Sequence, residues 1–201
     1  MTSVLITAFE PYDRWQANSS WLCLMELTRD RPTQPAITTR RYPVDFQAAK
    51  ERLAQDLKAN YDYALHLGQA PRSATIRLEE IGLNVGGGCH EPVERLHPLA
   101  ADGPTAYRTS LPLGDWSAKL RQAGIPSQVS YHAGTYLCNA MLYWSHYLSE
   151  QLGLRTRSAF IHLPLDISQT LGEREELPSL PAGVSAAALR LILNELHAGG
   201  A

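Results

Sequence analysis

The tightest constraint on how this chain can fold is a series of short apolar runs, each punctuated by turn residues and followed by a segment of helical period. Val4-Leu5-Ile6-Thr7-Ala8-Phe9 is almost unbroken, as expected of a strand covered on both faces. Residues 36–44 read as a second strand ending at Pro43, residues 63–67 as a third closed by Gly68, and residues 158–164 as a late buried strand. Between them, Asn18 or Ser19 caps a helix whose apolar side is Trp21, Leu22, Leu24, Met25 and Leu27. Asp45 caps another over residues 46–57. This strand–helix alternation is the signature of an α/β layer fold.

The middle of the chain breaks the rhythm. Residues 75–85 alternate with strand period, Ile76, Leu78, Glu80, Gly82 and Asn84 facing one way and Arg77, Glu79, Ile81, Leu83 and Val85 the other. Each face then holds one carboxylate among largely apolar neighbours, and a partly buried carboxylate needs a partner. The stretch opened by Gly86-Gly87-Gly88-Cys89-His90-Glu91-Pro92 reads as irregular to about Pro112, a flap or a contact between subunits. Its glycines lack the Lys and Ser/Thr of a phosphate loop. Cys89, His90, Glu91 and His97 lack the second cysteine or helical His pair of a metal site, so no metal is expected. A short helix at 115–123, a strand at 128–131, a Glu- and Pro-rich loop at 173–181 and a helix at 185–196 complete the pattern.

At 201 residues the chain is expected to be one domain spanning residues 1–201. Its net charge of −2 comes without any basic run, so no nucleic-acid partner is expected. The first residues carry no basic leader and no stretch is long enough to span a bilayer, so neither export nor a membrane partner is expected. Cys23, Cys89 and Cys138 are few and unpaired in spacing, which suits a reducing cytoplasm.

The chemistry concentrates at Ala133-Gly134-Thr135-Tyr136-Leu137-Cys138-Asn139. A turn-prone segment delivers Cys138 into a helical pattern carried on by Met141, Leu142, Ser145 and Leu148. A thiol at a helix N-terminus ionises more readily, and the thiolate is the nucleophile. A buried, inert cysteine is the alternative. His162 stands at the carboxyl end of a strand, the edge where α/β sites collect, whereas His66 lies inside a buried run and reads as a core histidine. Cysteine, histidine and a strand-borne carboxylate make up a nucleophile, a base and its orienter, a set suited to acyl transfer from amides or esters.

These segments carry a resemblance. Val4-Leu5-Ile6-Thr7-Ala8-Phe9-Glu10-Pro11-Tyr12 followed by Asn18-Ser19-Ser20 is similar to the GFEPFGG…NPS strand and loop of the pyroglutamyl peptidase type I (pyrrolidone carboxyl peptidase) family. Gly68-Gln69-Ala70, Ile76, Glu79 and Asn84 follow its GxAxGRxxIxxERVAxN spacing, and Asp102 to Tyr107 with Leu111-Pro112 its GPAAYxxxLP. Most specific are Ala133 to Asn139 against AGTxxCN and Phe160-Ile161-His162-Leu163-Pro164 against FIHxP. The chain departs from the pattern at Asp13 and Arg14, which replace glycines, at Tyr12 for Phe, at Arg72-Ser73 for GR, and at Glu80 for the Arg of ERVA.

The resemblance implies an open α/β/α sandwich with a mixed, largely parallel central sheet. It implies removal of amino-terminal pyroglutamate from peptides through a thioester acyl-enzyme, with neither cofactor nor metal. Cys138 would be the nucleophile, His162 the base and Glu79 its orienter, with Phe9, Tyr12, Gln69, Tyr136 and Leu137 at the lactam. A homo-oligomer is compatible with it. Two other readings stay open at this point: a cysteine amidase of the same fold with another amino-terminal specificity, and a non-catalytic peptide-binding relative.

Overall fold

The computed structural model describes residues 2–88 and 91–199, so Cys89 and His90, weighed above as metal ligands, lie outside the described residues. The chain runs β1 (Ser3–Phe9), α1 (Ser19–Arg29), β2 (Ala36–Tyr42), α2 (Phe46–Leu57), β3 (Tyr63–Gln69), β4 (Ile76–Glu79) and β5 (Ile81–Leu83). It continues β6 (Ala106–Arg108), α3 (Leu113–Gln122), β7 (Ser127–Ser130), α4 (Leu137–Gln151), β8 (Arg157–Leu163), α5 (Ile167–Thr170) and α6 (Ala182–Ala198), with a 3-10 turn at Val93–Arg95. Six strands form one sheet in the order β2-β1-β3-β8-β4-β7. All neighbours are parallel except β4 and β8, which makes the sheet mixed and mainly parallel.

Strand alternation divides the core in two. Val4, Ile6 and Ala8 of β1, Leu65 and Leu67 of β3, and Ala159, Ile161 and Leu163 of β8 pack with residues of α1, α3 and α6. Leu5, Phe9, Ala64 and Phe160, from the same strands, pack against α2 and α4. The central strands therefore have no solvent face, which is why their runs read as apolar throughout. Helix starts follow the capping chemistry: Asn18 accepts from the Ser20 N–H at 3.1 Å and Asp45 from the Ala48 N–H at 2.8 Å, each typically worth about 1 kcal/mol.

Several expectations change. The alternation at 75–85 is split at Glu80: β4 joins the main sheet, while β5 pairs with β6 in a separate two-stranded sheet. The stretch expected to be irregular thus supplies β6, and Asn84 ties it down by hydrogen bonds to Ala100 and the Gly103 carbonyl. Gly68 does not close β3, which continues through Gln69. On α1 the buried apolar face is Cys23, Leu24 and Leu27, and Met25 is exposed. The short α5 was not anticipated, although Asp166 and Gln169 form a reciprocal capping box at its start, a spacing legible in sequence.

His66 is fully buried, between the Thr7 hydroxyl at 2.8 Å on Nδ1 and the Ser145 hydroxyl at 3.0 Å on Nε2. Ser145 in turn meets Ser158 at 2.7 Å, so one polar chain stitches β1, β3, α4 and β8. Burial, with a smaller push from His146, drives the His66 pKa down to about 3, and burial drives His146 to about 4. Below the ordinary histidine range the unfolded chain gains protons that these two refuse, so stability falls as pH drops from about 6.5. His162, raised to about 9, acts in the opposite sense, but its contribution is complete by pH ~6.5 and adds no slope below it. The midpoint of thermal unfolding should therefore fall between about pH 6.5 and pH 5. A midpoint that holds level or rises across that interval would mean His66 takes up a proton inside the fold.

Candidate active site

The site forms where α4 begins above the carboxyl ends of β3 and β8. Gly134 adopts a φ of +83° in the preceding loop, a conformation that suits glycine. Tyr136 is the N-cap residue without a side-chain cap, and Cys138 is the second residue of the helix. The N–H groups of Leu137, Cys138 and Asn139 thus belong to a first turn with no helical partner of their own, a natural place for negative charge. Asn139 anchors that turn: fully buried, it accepts from the Leu83 N–H at 2.8 Å and donates to the Leu83 and Val85 carbonyls at 2.9 and 2.8 Å. Asn139 stands beside Cys138 in the sequence motif, but its anchoring of the turn depends on the fold.

Gly68 lets the cysteine approach the sheet. A Cβ there would lie 2.5 Å from the Phe160 ring and 3.1 Å from Cys138 Sγ. Gly68 is also the register partner of His162 on β8, so the sulfur sits over the strand pair that carries the imidazole. His162 Nδ1 meets Glu79 Oε1 at 2.8 Å, which leaves the other ring nitrogen to exchange a proton with the thiol. Both residues are buried, Glu79 at 1% and His162 at 8% exposure. The structure thus brings Cys138, His162 and Glu79 together from α4, β8 and β4.

Electrostatics favours a charged imidazole. Burial opposes it, but the neighbouring Cys138 and Glu79 together raise the His162 pKa to about 9. Burial likewise pushes Glu79 up, yet the bond and charge of His162, helped by Ser130 and Arg77, hold it below the ordinary carboxylate range. An imidazole held between a carboxylate and a sulfur is placed for acid–base exchange with the sulfur. Glu80 takes no part: its carboxylate pairs with Arg108 across the β5–β6 sheet.

Beside the sulfur opens a mostly apolar slot of about 320 Å³, lined by Phe9, Tyr12, Gln69, Tyr136 and Leu137, and also by Asn18, Val44 and Gly68. The last three are additions to the expected lining; Asn18 caps α1 and belongs to the segment resembling the family's NPS loop. Gln69 is oriented by its neighbours. Its Oε1 accepts from the Ser19 N–H and from Gln169 Nε2, each at 2.8 Å, while its Nε2 is buried without a partner. A backbone donor fixes which end is oxygen, so the free end is a donor. Gln169 reaches Gln69 from the short α5, an element that the hydrophobic pattern does not signal. Among the described residues no group of three metal-ligating side chains is assembled, and no helix is long and apolar enough to cross a membrane.

Comparison with known proteins converges on one family. A family model described as pyroglutamyl peptidase matches residues 2–197. The pyrrolidone-carboxylate peptidases of Bacillus subtilis and Streptomyces coelicolor are 32% and 33% identical, over 94% and 96% of this chain and 89% and 91% of theirs. The crystal structure of pyrrolidone carboxyl peptidase from Fervidobacterium islandicum superposes with a TM-score of 0.91 at 34% identity, covering 98% of both chains. A mutant pyrrolidone carboxyl peptidase from Pyrococcus furiosus gives 0.89 at 29% identity, covering 99% of both chains.

Two tests follow from the geometry. Gly68→Ala should shift Phe160, cost about 1–3 kcal/mol in stability and push Cys138 off the imidazole, lowering turnover far more than the loss of folded protein accounts for; unchanged turnover would show that the close approach is unnecessary. Brief, substoichiometric iodoacetamide near neutral pH should label Cys138, because Cys23 is buried and its thiol is pushed up to about 12. Peptide mapping that found the label on Cys23, or on Cys89 with activity intact, would show that Cys138 is not the activated thiol.

Proposed function

The chain belongs to the pyroglutamyl peptidase family, and on that premise we propose that it hydrolyses the amide bond after an amino-terminal pyroglutamate, using Cys138, His162 and Glu79. The observation that carries the specificity is the buried, unpartnered Nε2 of Gln69 in the slot beside Cys138. A buried donor without an acceptor costs stability, and the ring carbonyl of a pyroglutamyl group would satisfy it. The flat lactam would lie among Phe9, Tyr12, Tyr136 and Leu137, where neutral ring surface suits an apolar, aromatic wall.

The geometry supports the following course of reaction. Cys138 thiolate adds to the scissile carbonyl, and the first-turn N–H groups of α4 stabilise the oxygen as its charge develops. His162, protonated, gives its proton to the departing amine, leaving a thioester on Cys138. Neutral His162 then takes a proton from water, whose oxygen attacks the thioester and releases pyroglutamate. Glu79 holds Nδ1 and stabilises the imidazolium without forming a bond to substrate. The few cysteines, far apart in the sequence, are consistent with work in the cytoplasm, and pyroglutamyl peptides are the partners this reading requires.

Pyroglutamyl amides should be cleaved at least ~100-fold faster than prolyl amides, because the prolyl ring leaves Gln69 Nε2 unpaired. Equal rates, or cleavage of neither, would reject the specificity. Cys138→Ala should abolish turnover, and Glu79→Gln should lower kcat by at least ~100-fold while the protein stays folded. Turnover should also decline on an alkaline limb near the His162 value of about 9, as the imidazolium that protonates the leaving group is lost. Because Glu79 raises that value, the limb should move to lower pH in Glu79→Gln; a limb that stayed in place would detach Glu79 from the imidazole.

A further inference from the structure

A second cleft adjoins the slot, and Tyr12 belongs to the walls of both. It is larger, about 1230 Å³ and open to solvent, and its lining includes Trp15, Arg72, Ser73 and Arg77. Its position relative to the chemistry is set by the sheet. β8 lies between β3 and β4, and His162 is the register partner of Gly68 on one side and of Arg77 on the other. Register partners share a face of the sheet. Gly68 lines the lactam slot and Arg77 the second cleft, so a substrate held in the slot with its scissile bond at Cys138 and His162 leads onward to Arg77.

Arg77 is half-buried, and its Nε donates to Ser73 Oγ at 3.1 Å. Its terminal nitrogens donate to nothing among the described residues. The other charges of the cleft are weaker competitors. Arg14 is engaged by Glu173 at 3.2 Å and lies over the Trp15 ring, while Asp13, Arg72 and Glu175 are exposed and screened by water. A half-buried guanidinium with open donors is suited to bidentate pairing with a carboxylate.

We propose that Arg77 is a specificity-determining residue for the leaving-group side of the substrate, selecting a carboxylate just after the scissile bond. The carboxylate is either the side chain of an acidic second residue or the free terminus of a pyroglutamyl dipeptide. This rests on the pyroglutamyl-peptidase reading above. Because Arg77 also contributes to the charge balance at Glu79, its role is read from ratios between substrates and not from absolute rates.

The test compares kcat/KM for pyroglutamyl-glutamate amide, pyroglutamyl-glutamine amide and pyroglutamyl-lysine amide, and for pyroglutamyl-alanine as free acid against its amide. Wild-type protein should favour the carboxylate-bearing member of one set by roughly tenfold, the scale of a charge-assisted hydrogen bond. The first set reports a side chain and the second a terminus. Arg77→Met should bring that ratio to within about twofold, and Arg77→Lys should keep part of it. Should Arg77→Met fail to fold, the wild-type ratio measured at low and high salt decides, since it should shrink as salt screens the pair. Brisk but equal cleavage of every peptide overturns the role of Arg77 and leaves the peptidase reading standing. An unchanged ratio in folded Arg77→Met overturns it equally. Cleavage of none of these peptides, with none of the pyroglutamyl amides above cleaved either, overturns the peptidase reading and this proposal with it.

Discussion

The site depends on one close approach, that of the first turn of α4 to the sheet at Gly68. Only hydrogen occupies the Cβ position there, and the space a methyl would need is filled by the Phe160 ring and Cys138 Sγ. That contact places sulfur over the β3–β8 pair, beside the strand that carries His162. A glycine inside a strand normally weakens it; here the strand is central and fully buried, and its neighbours supply the order the glycine lacks.

A second constraint keeps the turn in place. Asn139 spends its side chain on the backbone of the segment around β5, and β5 follows β4 after a single residue. The strand that delivers Glu79 to His162 and the segment that holds the helix of Cys138 are therefore one continuous piece of chain. The reversal of β4 relative to β8 matters as well. It lays Glu79 opposite Phe160 and Arg77 opposite His162, so carboxylate and guanidinium occupy the same face, Arg77 at the level of His162 and Glu79 at the level of Phe160. One strand of four residues thereby supplies both the carboxylate that meets His162 and the cation of the neighbouring cleft.

Two buried histidines show how environment sets role. Among the described residues His66 has hydroxyl hydrogen-bond partners alone, which supply no negative charge, and burial, helped by His146, takes its pKa down to about 3. His162 is almost as buried but stands between Cys138 and Glu79, and rises to about 9. The same side chain is driven towards its neutral form in one place and held charged in the other.

The apolar runs of β1, β3 and β8 and the caps Asn18 and Asp45 are local signals, and the sequence alone determined from them an α/β layering and the helix starts. Local rules also picked out Cys138 at a helix start and His162 at a strand's carboxyl end, while resemblance singled out Glu79 among the strand carboxylates and Phe9, Tyr12, Gln69, Tyr136 and Leu137. What periodicity could not supply was direction and partnership. Alternation at 75–85 is the same whether the strand continues or breaks, so the switch at Glu80 from one sheet to another was settled only by which strands lay alongside. The same holds for β6, whose three residues gain strand character from pairing with β5. Gly68 read as a terminator because glycine often ends a strand, and only the packing of Phe160 and Cys138 against it showed why the chain needs no side chain there. The meeting of α4, β8 and β4 at one point is a property of strand order, which depends on contacts between residues more than eighty positions apart and leaves no local trace in the sequence.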